Sequence, residues 1–167
     1  MIAKIVLLPI LSLAGLASQP DKIGYIDLQK AVPATTAGKK AKEVMDAEFK
    51  KRKESLDKKK ADIEKMGQDL EKKKSVLSEE VLNRKNMELN DEMMKFQKVV
   101  NDNQVELQKK EKEVLEPIFE KMKKVIEKVA NEKGFTFVIE KQAQNVLFAR
   151  KENDLTDDIV KAFEKEK

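Results

Sequence analysis

Between residues 39 and 116 the chain has no proline, and Phe49, Leu56, Ile63, Leu70 and Leu77 recur at a spacing of seven. That spacing predicts a helix with one apolar seam. The companion position of each heptad is mostly charged (Arg52, Lys59, Lys73), with Met66 the exception, so this seam is thin and needs a partner helix. Further on, Leu82, Leu89 and Phe96 form one heptad series and Met93, Val100, Leu107 and Val114 a second, with the stripe broken at Asn103. Between the two patterns lies a lysine-rich end, Lys72 to Lys74, then Ser75 to Ser78, then Glu79 and Glu80. Cations at a helix C-terminus and a serine followed by acids at the next N-terminus place a turn near residues 75–78. The chain is thus expected to double back as an antiparallel helical hairpin. At ~1.5 Å per residue, a first arm of roughly 36 residues projects about 55 Å. Gly67 lies inside that arm, where glycine weakens a helix by ~1 kcal/mol relative to alanine. It is a candidate hinge, or a tolerated surface glycine.

Past Pro117 the apolar face widens through Ile118, Met122, Val125, Ile126 and Val129 and stops before Gly134, so this portion should pack on a core. Of the methionines here, Met93 and Met122 read as ordinary seam or core fillers. Strand candidates flank the hairpin at residues 22–27, 135–140 and 146–149, β-branched and aromatic where the arms are not. Thr156, followed by Asp157 and Asp158, reads as the N-cap of a final helix. The expected fold class is α+β, mostly α: a helical arm over residues 39–133 on a small β-rich body built from residues 18–38 and 134–167. Such a body is marginal alone, since domains of about 60 residues bury only ~60% of their unfolded surface and a three-stranded sheet leaves two open edges. Phe135, Phe137 and Ile139 should share one strand face, with Val138 and Ile26 on the other. The body is therefore expected to oligomerise through Ile23, Tyr25, Ile26, Phe135, Phe137, Val138, Ile139 and Leu147, leaving the arms free.

Composition narrows the chemistry. The 167 residues are 40% charged and 40% hydrophobic, with five glycines, no tryptophan, no histidine and no cysteine. Ser-His-Asp triads, Cys nucleophiles, ordinary zinc sites and disulfides are thereby excluded. Ala37-Gly38-Lys39-Lys40 fails as a phosphate loop, because Pro33 stands where the first glycine belongs and Lys40 replaces the Ser or Thr. Acid pairs such as Asp91-Glu92 and Asp157-Asp158 fall on helix starts or solvated faces. The expectation is a non-enzyme without cofactor or metal. Residues 1–17 carry Lys4, an apolar run from Ile5 to Leu16 interrupted by Pro9, and small residues Gly15 and Ala17. This is the pattern of a secretory signal peptide, too short to span a bilayer, with cleavage expected after Ala17 and no ATP available to the exported chain.

Charge is unevenly placed: residues 39–74 hold 14 basic and 9 acidic side chains, whereas residues 79–133 hold 12 and 13. The first arm thus carries a positive field able to attract acidic polypeptide, anionic lipid heads or nucleic acid, against the bland alternative of lysines kept for solubility. Nucleic acid is the weaker choice, since Phe49 is the arm's lone aromatic and offers no stacking platform. The six internal methionines supply adaptable apolar contacts.

In order and spacing, Lys22-Ile23-Gly24-Tyr25-Ile26-Asp27-Leu28-Gln29-Lys30, Ala37-Gly38-Lys39-Lys40-Ala41, Gly134-Phe135-Thr136-Phe137-Val138-Ile139 and Asp154-Leu155-Thr156-Asp157-Asp158-Ile159-Val160 resemble the Skp/OmpH family of periplasmic chaperones. The last segment looks like that family's terminal D-[IL]-T-x-x-[VI] pattern. The resemblance implies a homotrimer: a β body with three helical tentacles around a cavity. It also implies that this cavity holds unfolded outer-membrane β-barrel proteins without ATP before their insertion. The arms match that family only in character and transfer no individual positions; the candidate client contacts, taken as adaptable apolar and basic side chains of the arm, are Met45, Phe49, Lys53, Lys59, Met66, Lys73, Met87 and Met94. Anionic lipid or lipopolysaccharide is a further partner the basic arm could take, with no individual residues of the lipopolysaccharide site proposed for that family carried over to this sequence. The competing expectation is an envelope coiled coil that spaces surfaces or ties a polyanionic layer without chaperoning.

Overall fold

A computed structural model describes residues 21–142 and 146–166; the predicted signal peptide lies outside them. The element order is β1 (Ile23–Ile26), α1 (Leu28–Ala34), α2 (Thr36–Lys73), α3 (Glu79–Glu132), β2 (Phe137–Glu140), a single 3-10 turn (Lys151–Asn153) and α4 (Thr156–Lys165). The protein is mostly helical. Two helices account for most of it, and their lengths follow from their ends. The hydroxyl of Thr35 caps α2 by accepting from the Gly38 amide at 2.9 Å, and Lys72 and Lys73 close it. The Ser78 hydroxyl accepts from Val81 N at 3.4 Å, with Glu79 and Glu80 in the first turn of α3. At the far end, Gly134 adopts φ 69°, while Phe135 N donates to Ala130 O at 2.9 Å and Gly134 N to Asn131 O at 3.2 Å. That is a Schellman stop, which needs a left-handed residue after the helix.

α2 and α3 lie side by side. The Leu56, Ile63, Leu70 and Leu77 series is half-buried against Leu82, Leu89, Phe96, Val100 and Leu107. Two positions depart from the heptad expectation. Phe49 stays exposed, and the layer near it is polar: Arg52 Nη1 donates to Asn103 Oδ1 at 2.8 Å across the two helices, and Arg52 Nε pairs with Glu48 at 3.2 Å. Met93 is exposed rather than a seam filler, whereas Met122 is fully buried as expected. α2 runs unbroken through Gly67, whose absent side chain would begin 3.8 Å from Leu89 Cδ2.

The core sits at one end, where Ile118, Met122, Val125 and Val129 of α3 meet Ile26, Ala31, Val32, Ala41, Phe135, Leu155, Ile159 and Phe163. Helix α1 enters through Asp27, whose side chain accepts from Lys30 N, and passes directly into α2 at Thr35. The joint is tight. A side chain on Gly38 would begin 1.9 Å from the Val32 carbonyl oxygen, so only glycine fits. The tail clasps this joint from outside, since Glu164 of α4 accepts from Thr36 N at 2.7 Å and from its hydroxyl at 2.8 Å.

β1 and β2 pair in parallel, Ile23 against Phe137 and Tyr25 against Ile139. The expected third strand at residues 146–149 does not form; Leu147 and Phe148 are 94% and 84% exposed. The other edge of β1 is taken instead by Asp154, through a parallel bridge with Tyr25 in which Leu155 N donates to Tyr25 O at 2.9 Å. Phe135 also departs from expectation. It precedes the strand and packs into the core under Gly24, leaving Phe137 and Ile139 on the opposite face. Thr156 is the first residue of α4 rather than its cap: Asp154 Oδ1 accepts from Thr156 N at 3.0 Å, and the Thr156 hydroxyl accepts from Asp27 N at 3.0 Å.

Candidate functional site

Large apolar side chains lie exposed along the outside of the long helices, and the residues expected to bind clients divide there into two groups. Met87 and Met94 are 69% and 64% exposed on α3; Phe49 and Met66 are exposed on α2. Met45 differs, being half-buried in a groove of about 530 Å³ that α1, the start of α2 and the middle of α3 enclose with Leu28, Val32, Leu115 and Phe119. Val105 and Phe119, also exposed, were not anticipated; their separation from the methionines by whole helical turns was the available signal.

The lysines are less free than their clustering suggested. Lys53 pairs with Asp57 at 2.5 Å, Lys60 with Glu64 at 3.7 Å, and Lys42 with Asp46, each one helical turn apart. Lys59 lies close enough to Glu92 on α3 to lend its charge to that carboxylate. Lys73 lines a small pocket of about 200 Å³ near the turn, together with Met66, Leu70, Leu77 and Leu89 and the acids Asp69 and Glu88. The positive field of the first arm is thus partly cancelled at short range, and exposed pairs of this kind contribute little to stability.

At the body, the residues expected to associate also divide. Tyr25, Ile26 and Phe135 are buried within the chain, Val138 packs on the core and Ile139 is half-buried. Ile23 and Phe137, neighbours on the outer sheet face, are 50% and 59% exposed, and Leu147 stands out into solvent.

Titration is altered at a few groups, all explicable structurally. Burial pushes the Tyr25 hydroxyl up, and the Asp154 carboxylate that accepts its proton pushes it further. Burial opposes the charge on Asp154, but hydrogen bonds from Thr156 and Tyr25 outweigh it and hold that carboxyl low. Glu164 is held low by the Thr36 amide and hydroxyl. Glu92 and Lys95, 2.6 Å apart, each favour the other's charged form. Asp154 and Glu164 hold the ends of α4 and α2 through these bonds, whereas Glu92 and Lys95 form an ion pair one turn apart on α3. Among the described residues, no cluster of three His, Cys, Asp or Glu side chains could hold a metal ion, and no helix is long and apolar enough to cross a membrane.

A small two-stranded body carrying two very long packed helices defines a narrow structural class. The sequence profile of the family described as outer membrane protein (OmpH-like) matches residues 22–163, and the chain belongs to that family. Among solved structures it is similar to a crystal structure of a proposed outer-membrane chaperone (OmpH-like) from Caulobacter crescentus CB15. The two share 16% identity with a TM-score of 0.72, over 89% of this chain and 86% of that one. That likeness carries the fold. No match is found among curated proteins.

Proposed function

We propose that the protein is an ATP-independent periplasmic holdase that keeps unfolded outer-membrane β-barrel proteins from aggregating before insertion. One observation carries this: large apolar side chains are spread along the solvent side of a rod whose own core lies elsewhere. Phe49, Met87, Met94 and Val105 keep more than half of their surface in solvent, and Met66 more than a third. Exposing them costs solubility, and flexible thioethers suit contact with clients of varied sequence. Family membership and the likeness to an OmpH-like chaperone point the same way.

In this reading α2 and α3 form an antiparallel hairpin. The Arg52–Asn103 hydrogen bond and the approach of Gly67 to Leu89 support it, because partner numbers rise on one helix as they fall on the other. Residues 39–133 are the arm; residues 18–38 and 134–167 are the body, preceded by a cleaved leader at 1–17. Three copies join through the outer sheet face, where Ile23 and Phe137 lie exposed, and through Leu147. The arms then bound a cavity in which each client is kept from the next. The basic arm leaves room for anionic lipid or lipopolysaccharide as a second partner.

The test is dilution of a urea-unfolded β-barrel membrane protein into the mature chain at low and raised salt, followed by light scattering, with particle mass measured in parallel. Suppressed scattering by a particle of three chain masses is expected. Aggregation as fast as in buffer alone, at every salt, would refute the holdase reading and leave a spacing coiled coil.

A further inference from the structure

Between Asn83 and Gln108, one face of α3 is without charge. In a chain that is 40% Asp, Glu, Lys and Arg, two interleaved heptad series run along α3: Asn83, Asn90, Gln97 and Gln104, and Met87, Met94, Asn101 and Gln108. All eight positions are exposed, as are their flanking neighbours Asn86 and Met93. The charged side chains of the same stretch, such as Arg84, Asp91, Lys98 and Asp102, occupy the remaining solvent side. The seam toward α2 is formed by Leu82, Leu89, Phe96 and Leu107. The helix therefore has three sectors: apolar and packed, charged and solvated, and a third of amides and thioethers. From Asn83 to Gln108 this third sector covers about 38 Å at ~1.5 Å per residue. It ends at Glu111 and Lys112, one turn short of Leu115 and Phe119 at the lip of the groove beside the body.

Solubility does not account for it, because Lys or Glu would serve solubility better and are better helix formers than Asn. A buried helix–helix contact does not fit either. Such a seam needs two apolar positions per heptad, whereas amides occupy every position of one series here and would lose their water without fixed partners. An anionic lipid or glycan would call for cations, and there are none. Side-chain amides do match one ligand: each both donates and accepts, as each peptide group does, and the Gln97 Nε2 bond to Asn101 Oδ1 at 3.2 Å shows the face making that kind of pair.

We infer that this uncharged face of α3, rather than the basic face of α2, is where the arm holds extended client chain. The amides hydrogen-bond client main chain and the methionines cover client apolar side chains. The inference rests on the holdase reading and adds the chemistry of its grip. Main-chain recognition is indifferent to client sequence, and the face matches about 11 residues of extended chain at ~3.4 Å each.

The test uses the full mature chain and a urea-unfolded β-barrel membrane protein as probe. One variant inserts charges into the face without changing net charge: Asn90→Lys, Gln97→Glu, Asn101→Lys, Gln104→Glu. A second removes as many from the charged face: Asp91→Asn, Lys98→Gln, Asp102→Asn, Lys109→Gln. Helicity and particle mass are measured for each, and the first variant should be at least as helical as the parent. The expected result is a tenfold or greater loss of client affinity for the first variant and less than a twofold change for the second. A photo-crosslinker at Gln97 should capture client, and one at Lys98 should not. Equal holding by parent and first variant overturns the inference and leaves the holdase reading intact. A parent that holds nothing overturns both. A changed particle mass in the first variant assigns the face to self-association and overturns the inference alone.

Discussion

Gly38→Ala tests the joint on which the arm is mounted. The new methyl carbon would lie 1.9 Å from the Val32 carbonyl oxygen, where ordinary contact begins at 3.4 Å, so α1 and α2 must part by about 1.5 Å. The obstructing atoms are backbone, with no rotamer to yield. Overpacking of this kind costs about 3 kcal/mol at the upper end of its range. The same displacement pulls Gly38 N from the Thr35 hydroxyl, a cap worth about 1 kcal/mol. Better helix propensity returns about 1 kcal/mol, leaving a net loss of about 3 kcal/mol. For a chain of 167 residues that lowers the melting temperature by about 6–12 °C. Gly67→Ala is the matched control, since its methyl meets Leu89 at an ordinary 3.8 Å and should gain about 1 kcal/mol. Thermal melts at 222 nm, at equal protein concentration, distinguish the two. A Gly38→Ala melt within ~2 °C of the parent would refute the packing argument.

If Gly67 is a working hinge, the stabilised Gly67→Ala protein should hold large clients less well than small ones, read from size-graded client titrations; an unchanged size range makes the glycine a bystander. A double-mutant cycle of Arg52→Met and Asn103→Leu should give a coupling of about 1 kcal/mol in urea melts, and zero coupling would mean that the hydrogen bond across the arms is not formed in solution. Asp154 is held low in the folded chain, so its contribution is complete well above the ordinary Asp value of about 3.9 and is lost as pH falls through the depressed folded value. Asp154→Asn should therefore flatten the acid limb of a stability–pH curve, and an unchanged limb would contradict the capping role. Gly134→Ala forces a side chain onto φ 69° and should cost about 1 kcal/mol; a neutral result would show that the α3 stop relaxes.

What could be read in the residues was local. Ser78 with two acids behind it located the turn, Gly134 ended α3, and the Ile118–Val129 spacing announced the core, because caps and helical periodicity act within a few residues. Helix α1 escaped notice: its seven residues are too short for periodicity and contain Pro33, although Asp27 was a usable start signal. The missing strand at 146–149 has a different cause. β propensity says a segment can pair, but the place beside β1 was decided by where Leu155 anchors in the core, which brought Asp154 there instead. Phe49 was placed in the seam by spacing alone, since no pattern within one helix reveals that Arg52 finds Asn103 on the other. For the candidate client residues the chain itself offers only side-chain type. Exposure then separated Met87 and Met94 from Met45, information that exists only once the body has folded.

The parallel pairing of β1 with β2 has a kinetic consequence. Strand Ile23–Ile26 opens the described chain, yet its partner Phe137–Glu140 comes only after both long helices. Closing so long a loop by diffusion is slow, but in the antiparallel hairpin proposed above stiff helices that zip from the turn bring its two ends together as they form. The rod is then the folding guide of its own base, and nicking the backbone between Lys73 and Glu79 would turn a unimolecular event into a bimolecular encounter, with refolding rates that depend on concentration.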